Sequence, residues 1–240
     1  MSDAHIVSSF NEDMSRLRDL YFEMGQIVSS QLKGATRALR KEDRELAKQV
    51  IANDKQLNSL EAELNDLAIK VLALRQPFAA DLRKVVATLK SAGHFERMGD
   101  LVRNIAQRTN TITKAEAETG SIETLIQMSE IVQVMTNTIL TAYDRSDSDM
   151  AEEVRLQDEK VDRLHNSLFR EMLTYMMEDP RNISGCMHVL FMAKNIERMG
   201  DTVADIAKEL IYMATGDWPE GGRTKKDKTS RIVIDPDASA

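Results

Sequence analysis

The sequence predicts an all-α fold of six long helices, arranged as two tandem, internally duplicated three-helix bundles. Apolar residues recur every three or four positions along most of the chain, and no segment shows the period of two that is typical of strands. The pentapeptide Glu-Arg-Met-Gly-Asp occurs at residues 96–100 and again, 101 positions later, at residues 197–201. Such a repeat indicates an internal duplication, so we expect two similar halves that share a core.

The first half contains three predicted helices. The first covers about residues 9–40, and the second begins at Asp43, a typical N-cap residue, and ends before Pro77. The third begins near Asp81 and carries the first copy of the pentapeptide. We therefore place the first bundle at residues 9–113.

The second half repeats this plan. Apolar residues at helical spacing in 128–142 predict the fourth helix, and Asp147 starts the fifth, 104 positions after the corresponding N-cap of the first half. The sixth helix covers about residues 183–214. The second bundle is thus expected at residues 120–215, followed by a flexible tail at residues 216–240.

Composition excludes several classes of protein. The formal net charge of -7 and the pI near 5.3 argue against a nucleic-acid-binding protein. The single cysteine, Cys186, allows no internal disulfide, and the N-terminal residues lack the pattern of a signal peptide. No apolar run approaches the roughly 20 residues that a membrane-spanning helix needs. We expect the protein in the cytoplasm, without a membrane span.

Acidic residues lie beside the apolar stripes of consecutive helices in both halves. The first half places Asp54, Asn58 and Glu61 on the second helix and Glu96 and Asp100 on the third; the second half places Asp158, Asp162 and His165 on the fifth helix and Glu197, Asp201 and Asp205 on the sixth. Residues three or four apart share one face of a helix. Because short loops predict antiparallel neighbours, the two rows of each half are expected to face each other.

Facing carboxylates repel each other at a low-dielectric seam, and a bound cation removes this cost. Oxygen-rich sites, one of them with an imidazole, suit iron, manganese or zinc. The sequence therefore predicts a metal site in each half. The alternative is that the carboxylates form solvated helix flanks, paired with Arg97, Arg103, Arg198 and Lys208.

The repeated motif resembles a known family. The pentapeptide copies are followed by Asn104-Ile105 and Asp205-Ile206, and the first is preceded by Leu74-Arg75-Gln76-Pro77 and Asp81-Leu82-Arg83. These residues closely resemble those of the PhoU family, bacterial cytoplasmic regulators of phosphate uptake, and the resemblance covers about residues 10–216. It implies two three-helix bundles, frequently as a homodimer, with metal ions on Glu/Asp-x-x-x-Asp motifs.

Carried over to this chain, those motifs are Glu96/Asp100 and Glu197/Asp201, facing Asp54/Glu61 and Asp158/Asp162. Asn58 and His165 make the two sites unequal. The metal is expected to be iron, manganese, zinc or magnesium.

The resemblance also implies a function. The protein would couple the ATPase subunit of the phosphate ABC transporter to the phosphate-sensing histidine kinase, and would keep the starvation response off while phosphate is plentiful. The sequence shows no nucleophile elbow, phosphate-cradling glycine loop or Cys–His pair, so we expect neither catalytic residues nor an organic cofactor. The competing hypothesis is a carboxylate-bridged metalloenzyme such as an oxidase, or a metal-storage bundle.

Overall fold

A computed structural model describes residues 2–112, 119–219 and 229, and for residues 2–7, 54, 119 and 120 it describes the backbone alone. Every regular element in this part of the chain is helical, which confirms the predicted all-α fold. The helices are α1 (Ser2–Lys41), α2 (Arg44–Ala52), α3 (Asp54–Arg75), α4 (Ala79–Thr109), α5 (Thr119–Arg145), α6 (Ser148–Glu178) and α7 (Ile183–Thr215), with a 3-10 turn at Pro180–Asn182.

The predicted second helix is interrupted at Asn53, which separates α2 from α3. Asn53 keeps helical dihedrals, φ -76° and ψ -8°. Its carbonyl accepts a hydrogen bond at 3.1 Å from the amide of Gln56, three residues later, which is the spacing of a tight turn. Asparagine is a poor helix former, and the equivalent stretch of α6 is continuous. The six-helix plan therefore holds, with one of its helices divided.

Equivalent aspartates begin the equivalent helices. Asp43 Oδ1 accepts a hydrogen bond from the Leu46 amide at 2.9 Å, and Asp147 Oδ1 accepts one from the Met150 amide at the same distance. These side chains satisfy amides that have no partner within the first turn of a helix. The N-caps predicted from the repeat are confirmed in both halves.

One apolar core runs through both halves. Tyr21 of α1 stacks on Tyr143 of α5 with ring centroids 3.9 Å apart, and Phe95 of α4 meets Tyr21 edge-on at 5.2 Å. The Tyr143 hydroxyl lies 2.8 Å from the Thr88 hydroxyl, and burial raises the pKa of Tyr143 to about 12. The buried residues of α4 and α7 belong to the same continuous cluster.

Ion pairs define how the halves meet. Arg18 binds Asp144 at 2.7 Å and Arg40 binds Glu123 at 3.0 Å, so α1 and α5 are antiparallel. In α4 and α7, the Lys90 ammonium donates to Glu209 at 3.1 Å, and the Arg83 guanidinium donates to a carbonyl near the end of α7 at 3.2 Å. Those two helices are antiparallel as well.

Two predicted regions fall wholly or partly outside the described residues. These are the boundary between the halves, predicted at residues 114–120, of which 114–118 are not described, and residues 220–228 and 230–240 of the predicted tail. Within the described part, no helix is long and apolar enough to cross a membrane.

Candidate functional site

The acidic face of the second half lies in the interior of the molecule. Asp158 and Asp162 of α6 and Glu197 of α7 each have 0% of their surface exposed, and His165 of α6 has 2%. Full burial is rare for aspartate and glutamate unless another group compensates their charge. These side chains therefore have a role other than keeping a helix flank solvated.

Gly200 sets the register of the two helices that carry this face. A Cβ added at Gly200 would collide with Asp158 Oδ1 and would lie 3.6 Å from a methyl of Val161. The carboxylate of Asp158 thus rests directly on the α7 backbone, three residues after Glu197. Since α6 and α7 are antiparallel, Asp162, one turn beyond Asp158, lies level with Glu197.

Basic side chains already contact part of the second face. The Lys194 ammonium lies 2.9 Å from Glu197 Oε2, and the Lys194 side chain is 43% exposed while that of Glu197 is fully buried. Asp201 is half-buried, and the exposed Asp205 pairs with Lys208 at 2.7 Å. The interpretation as a solvated flank therefore holds for Asp205, whereas Glu197 lies in the core.

The described part of the corresponding face in the first half is only partly buried. Asn58 is exposed, while Glu61, Glu96 and Asp100 are half-buried. Asp100 pairs with Arg103 at 2.8 Å, as the flank interpretation predicts. The side chain of Asp54 lies outside the described residues. The two faces thus share a sequence pattern but differ in burial.

The chemistry of the ligands fits a hard or borderline cation, because carboxylate oxygens dominate both faces and His165 adds one imidazole. A cation would also offset the electrostatic cost of burying Asp158, Asp162 and Glu197. Among the side chains that the structure describes, no group of three or more His, Cys, Asp or Glu is gathered as a metal ion requires. Metal binding at either face stays a prediction.

Sequence reasoning missed two features of this site. It did not anticipate that Asp158, Asp162 and Glu197 are fully buried while the first face is only partly buried. Helical periodicity shows which residues share a face of a helix but not which other helices cover that face. It also overlooked Lys194, which precedes Glu197 by three positions. The i, i+3 spacing of that pair was the available signal.

The fold and the two acidic faces define a class of internally duplicated, all-helical proteins. The sequence profile described as PhoU domain matches residues 22–109 and 125–210, one match in each half. The chain belongs to the PhoU family, which confirms the resemblance noted in its pentapeptides.

Relatives and solved structures agree with this assignment. The chain is 40% identical over 232 residues to a phosphate-specific transport system accessory protein PhoU homolog of Rhizobium meliloti, covering 97% of this chain and 98% of that protein. A homolog of the same name from Caulobacter vibrioides is 39% identical, covering 95% of this chain and 99% of the other.

Crystal structures of two PhoU proteins have the same fold. The structure from Pseudomonas aeruginosa has a TM-score of 0.82 at 34% identity and covers 87% of this chain and 100% of that one. A phosphate transport system regulatory protein PhoU from Streptococcus pneumoniae also gives 0.82, at 26% identity, covering 88% of this chain and 99% of that one.

Proposed function

We propose that this protein is an accessory regulator of phosphate-specific transport that represses the phosphate-starvation response while phosphate is abundant. The observation that carries the proposal is the family match in both halves, together with relatives that align over nearly the whole chain and are named as accessory proteins of that transport system. The regulator works in the cytoplasm, and the functional unit is a homodimer.

Its partners are the ATPase subunit of the phosphate ABC transporter and the phosphate-sensing histidine kinase. Such a regulator biases the conformational equilibrium of a partner by contact and needs no catalytic residues. The relatives are named as accessory and regulatory proteins, and these names give no support to the metalloenzyme or metal-storage hypothesis. The protein is therefore proposed to be an adaptor and not an enzyme.

In this proposal each acidic face holds a metal ion. Asp158, Asp162 and Glu197, with His165, would hold it in the second half, and Glu96 and Asp100 would contribute in the first. When bound, a cation would supply positive charge that offsets the charge of these carboxylates. Helices α6 and α7 orient the carboxylates, and Gly200 leaves room for the side chain of Asp158.

Metal binding is tested by elemental analysis of protein purified without chelator and reconstituted with iron, manganese, zinc or magnesium. The quadruple variant Glu96→Gln, Asp100→Asn, Glu197→Gln, Asp201→Asn should lose its metal, because each face loses two negative charges and keeps only neutral amide oxygens in their place. The control variant Glu153→Gln removes an exposed carboxylate outside the rows and should keep the metal. Native protein that retains none of the four metals would refute the prediction.

The regulatory role is tested in a bacterial strain that lacks this protein. Alkaline phosphatase expression should be high and insensitive to phosphate in that strain, because the kinase is released from repression. Expressing this chain should restore repression in high phosphate. Normal repression in a strain that lacks both this protein and any paralogue would contradict the proposed function.

A further inference from the structure

A groove of about 560 Å³ lies between α1 and α5, away from both acidic faces. It is lined by Lys33, Thr36, Arg37, Arg40 and Lys41 of α1 and by Ile126, Glu130, Gln133, Val134 and Asn137 of α5. Of these residues, four are basic and one is acidic. The groove thus carries a local positive charge on a chain whose net charge is -7.

The basic residues of the groove form a row along one helix. Lys33, Arg37 and Lys41 follow each other at intervals of four, so they share a face of α1 and are spaced by about 6 Å along its axis. All three are exposed, and none forms an ion pair with a residue that the structure describes. Arg40, beside them, is paired with Glu123 at 3.0 Å.

Helix stability explains only part of this row. Cations in the last turn of a helix interact favourably with its dipole, which accounts for Arg40 and Lys41. Lys33 and Arg37 lie farther from the helix end, where that effect has faded. Their charge is available to a ligand.

We propose that this basic groove binds an acidic, amphipathic α-helix of a partner protein. Glutamates at intervals of four on such a helix have the same spacing of about 6 Å as the three cations of α1. On the opposite wall Val134 is 55% exposed and offers an apolar contact among the polar residues Glu130, Gln133 and Asn137. A third helix resting between α1 and α5 would place its carboxylates on α1 and its apolar residues on Val134.

Other anions fit the groove less well. The row of cations extends over about 12 Å from Lys33 to Lys41, too far for one phosphate ion to contact all three. The three cations are exposed side chains in the body and last turn of a helix, where backbone amides are already engaged. Polyphosphate would match the charge but has no counterpart for the apolar wall at Val134.

This inference rests on the proposed function, because an adaptor needs a surface for its partner. Fluorescence anisotropy with the full-length protein tests it directly. The probe is a labelled helical peptide of about 18 residues with glutamate at every fourth position and leucines beside them. A peptide with glutamine in place of each glutamate is the uncharged control, and sodium polyphosphate is the competitor.

The triple variant Lys33→Gln, Arg37→Gln, Lys41→Gln should bind the acidic peptide about tenfold more weakly, because it loses three cation–carboxylate contacts. The control variant Arg145→Gln, Lys160→Gln, Arg170→Gln removes three exposed cations outside the groove and should bind like the native protein. Raising the salt from about 50 to 500 mM should weaken native binding, since it shortens the Debye length.

The apolar wall distinguishes the ligand classes. Val134→Ser should weaken binding of the peptide severalfold and leave binding of polyphosphate unchanged. Equal peptide affinity in both triple variants would overturn the proposal. So would polyphosphate binding that is tighter than peptide binding and insensitive to Val134→Ser, or a groove variant that converts a homodimer into monomers in sedimentation, which would make the groove a contact between copies.

Failure of this inference and failure of the proposed function give different results. If the groove triple variant still represses alkaline phosphatase and binds the peptide normally, the groove is not the partner site and the regulatory role stands. If the native protein binds the peptide through the groove but does not restore repression, the regulatory role fails and the groove remains a site for acidic helices.

Discussion

Replacing Phe95 with Asp is expected to destabilise the whole chain and not only its first half. Phe95 is 0% exposed and packs edge-on against Tyr21. The change removes a buried aromatic ring and places a charged carboxylate in the core, so the free energy of unfolding should fall by at least about 4 kcal/mol, out of the 5–15 kcal/mol typical of a domain. Urea denaturation followed by circular dichroism measures the loss.

The continuous core predicts that this loss extends to the second half. Hydrogen exchange of the backbone amides of α6 reports on that half. Protection of these amides and the circular dichroism signal should be lost together in the variant. Leu82→Asp on α4 is the control, since Leu82 is 41% exposed and tolerates a charge. A variant whose second half unfolds as in the native protein would show that the halves have independent cores.

Gly200→Val is expected to separate α6 from α7. A Cβ at this position already collides with Asp158 Oδ1, and the two methyl groups of valine enlarge the collision inside a buried interface. Overpacking of this kind lowers the free energy of unfolding by about 1–3 kcal/mol, and the small gain in helix propensity over glycine does not offset it. Thermal and urea denaturation of the metal-free protein measure the change.

The matched control is Gly93→Val on α4. A Cβ at Gly93 would lie 3.6 Å from Glu61 Oε1, an ordinary contact with a half-buried side chain. Valine should change the stability there by less than about 1 kcal/mol. Equal destabilisation by both substitutions would mean that the loss at Gly200 does not come from the collision with the carboxylate of Asp158.

The helices were predictable because each carries its own local signals. The apolar spacing and the N-caps Asp43 and Asp147 depend on residues close in sequence. The internal repeat also shows the same order of helices twice. The break at Asn53 was not predicted, since the apolar stripe continues across it. The break depends on one residue, Asn53, which is a poor helix former, whereas apolar periodicity is a property averaged over many residues.

The site was predictable only in part. Helical spacing placed Asp158 and Asp162 on one face, and the repeat pointed to the facing row on α7. The burial of that face depends on how six helices pack, which involves residues far apart in sequence. For the same reason the groove between α1 and α5 was missed, since the residues that line its two walls are more than 80 positions apart in the chain.

The stacking of Tyr21 on Tyr143 also constrains how the protein is made. These rings lie on α1 and α5, and 122 residues separate them in the sequence. At a synthesis rate of about 5–20 residues per second, α1 leaves the ribosome roughly 6–24 s before its partner on α5 exists. The part of its surface that faces α5, at Tyr21 and Gly25, lacks its cover during that interval. Nascent chains that stop before α5 should therefore aggregate or depend on chaperones.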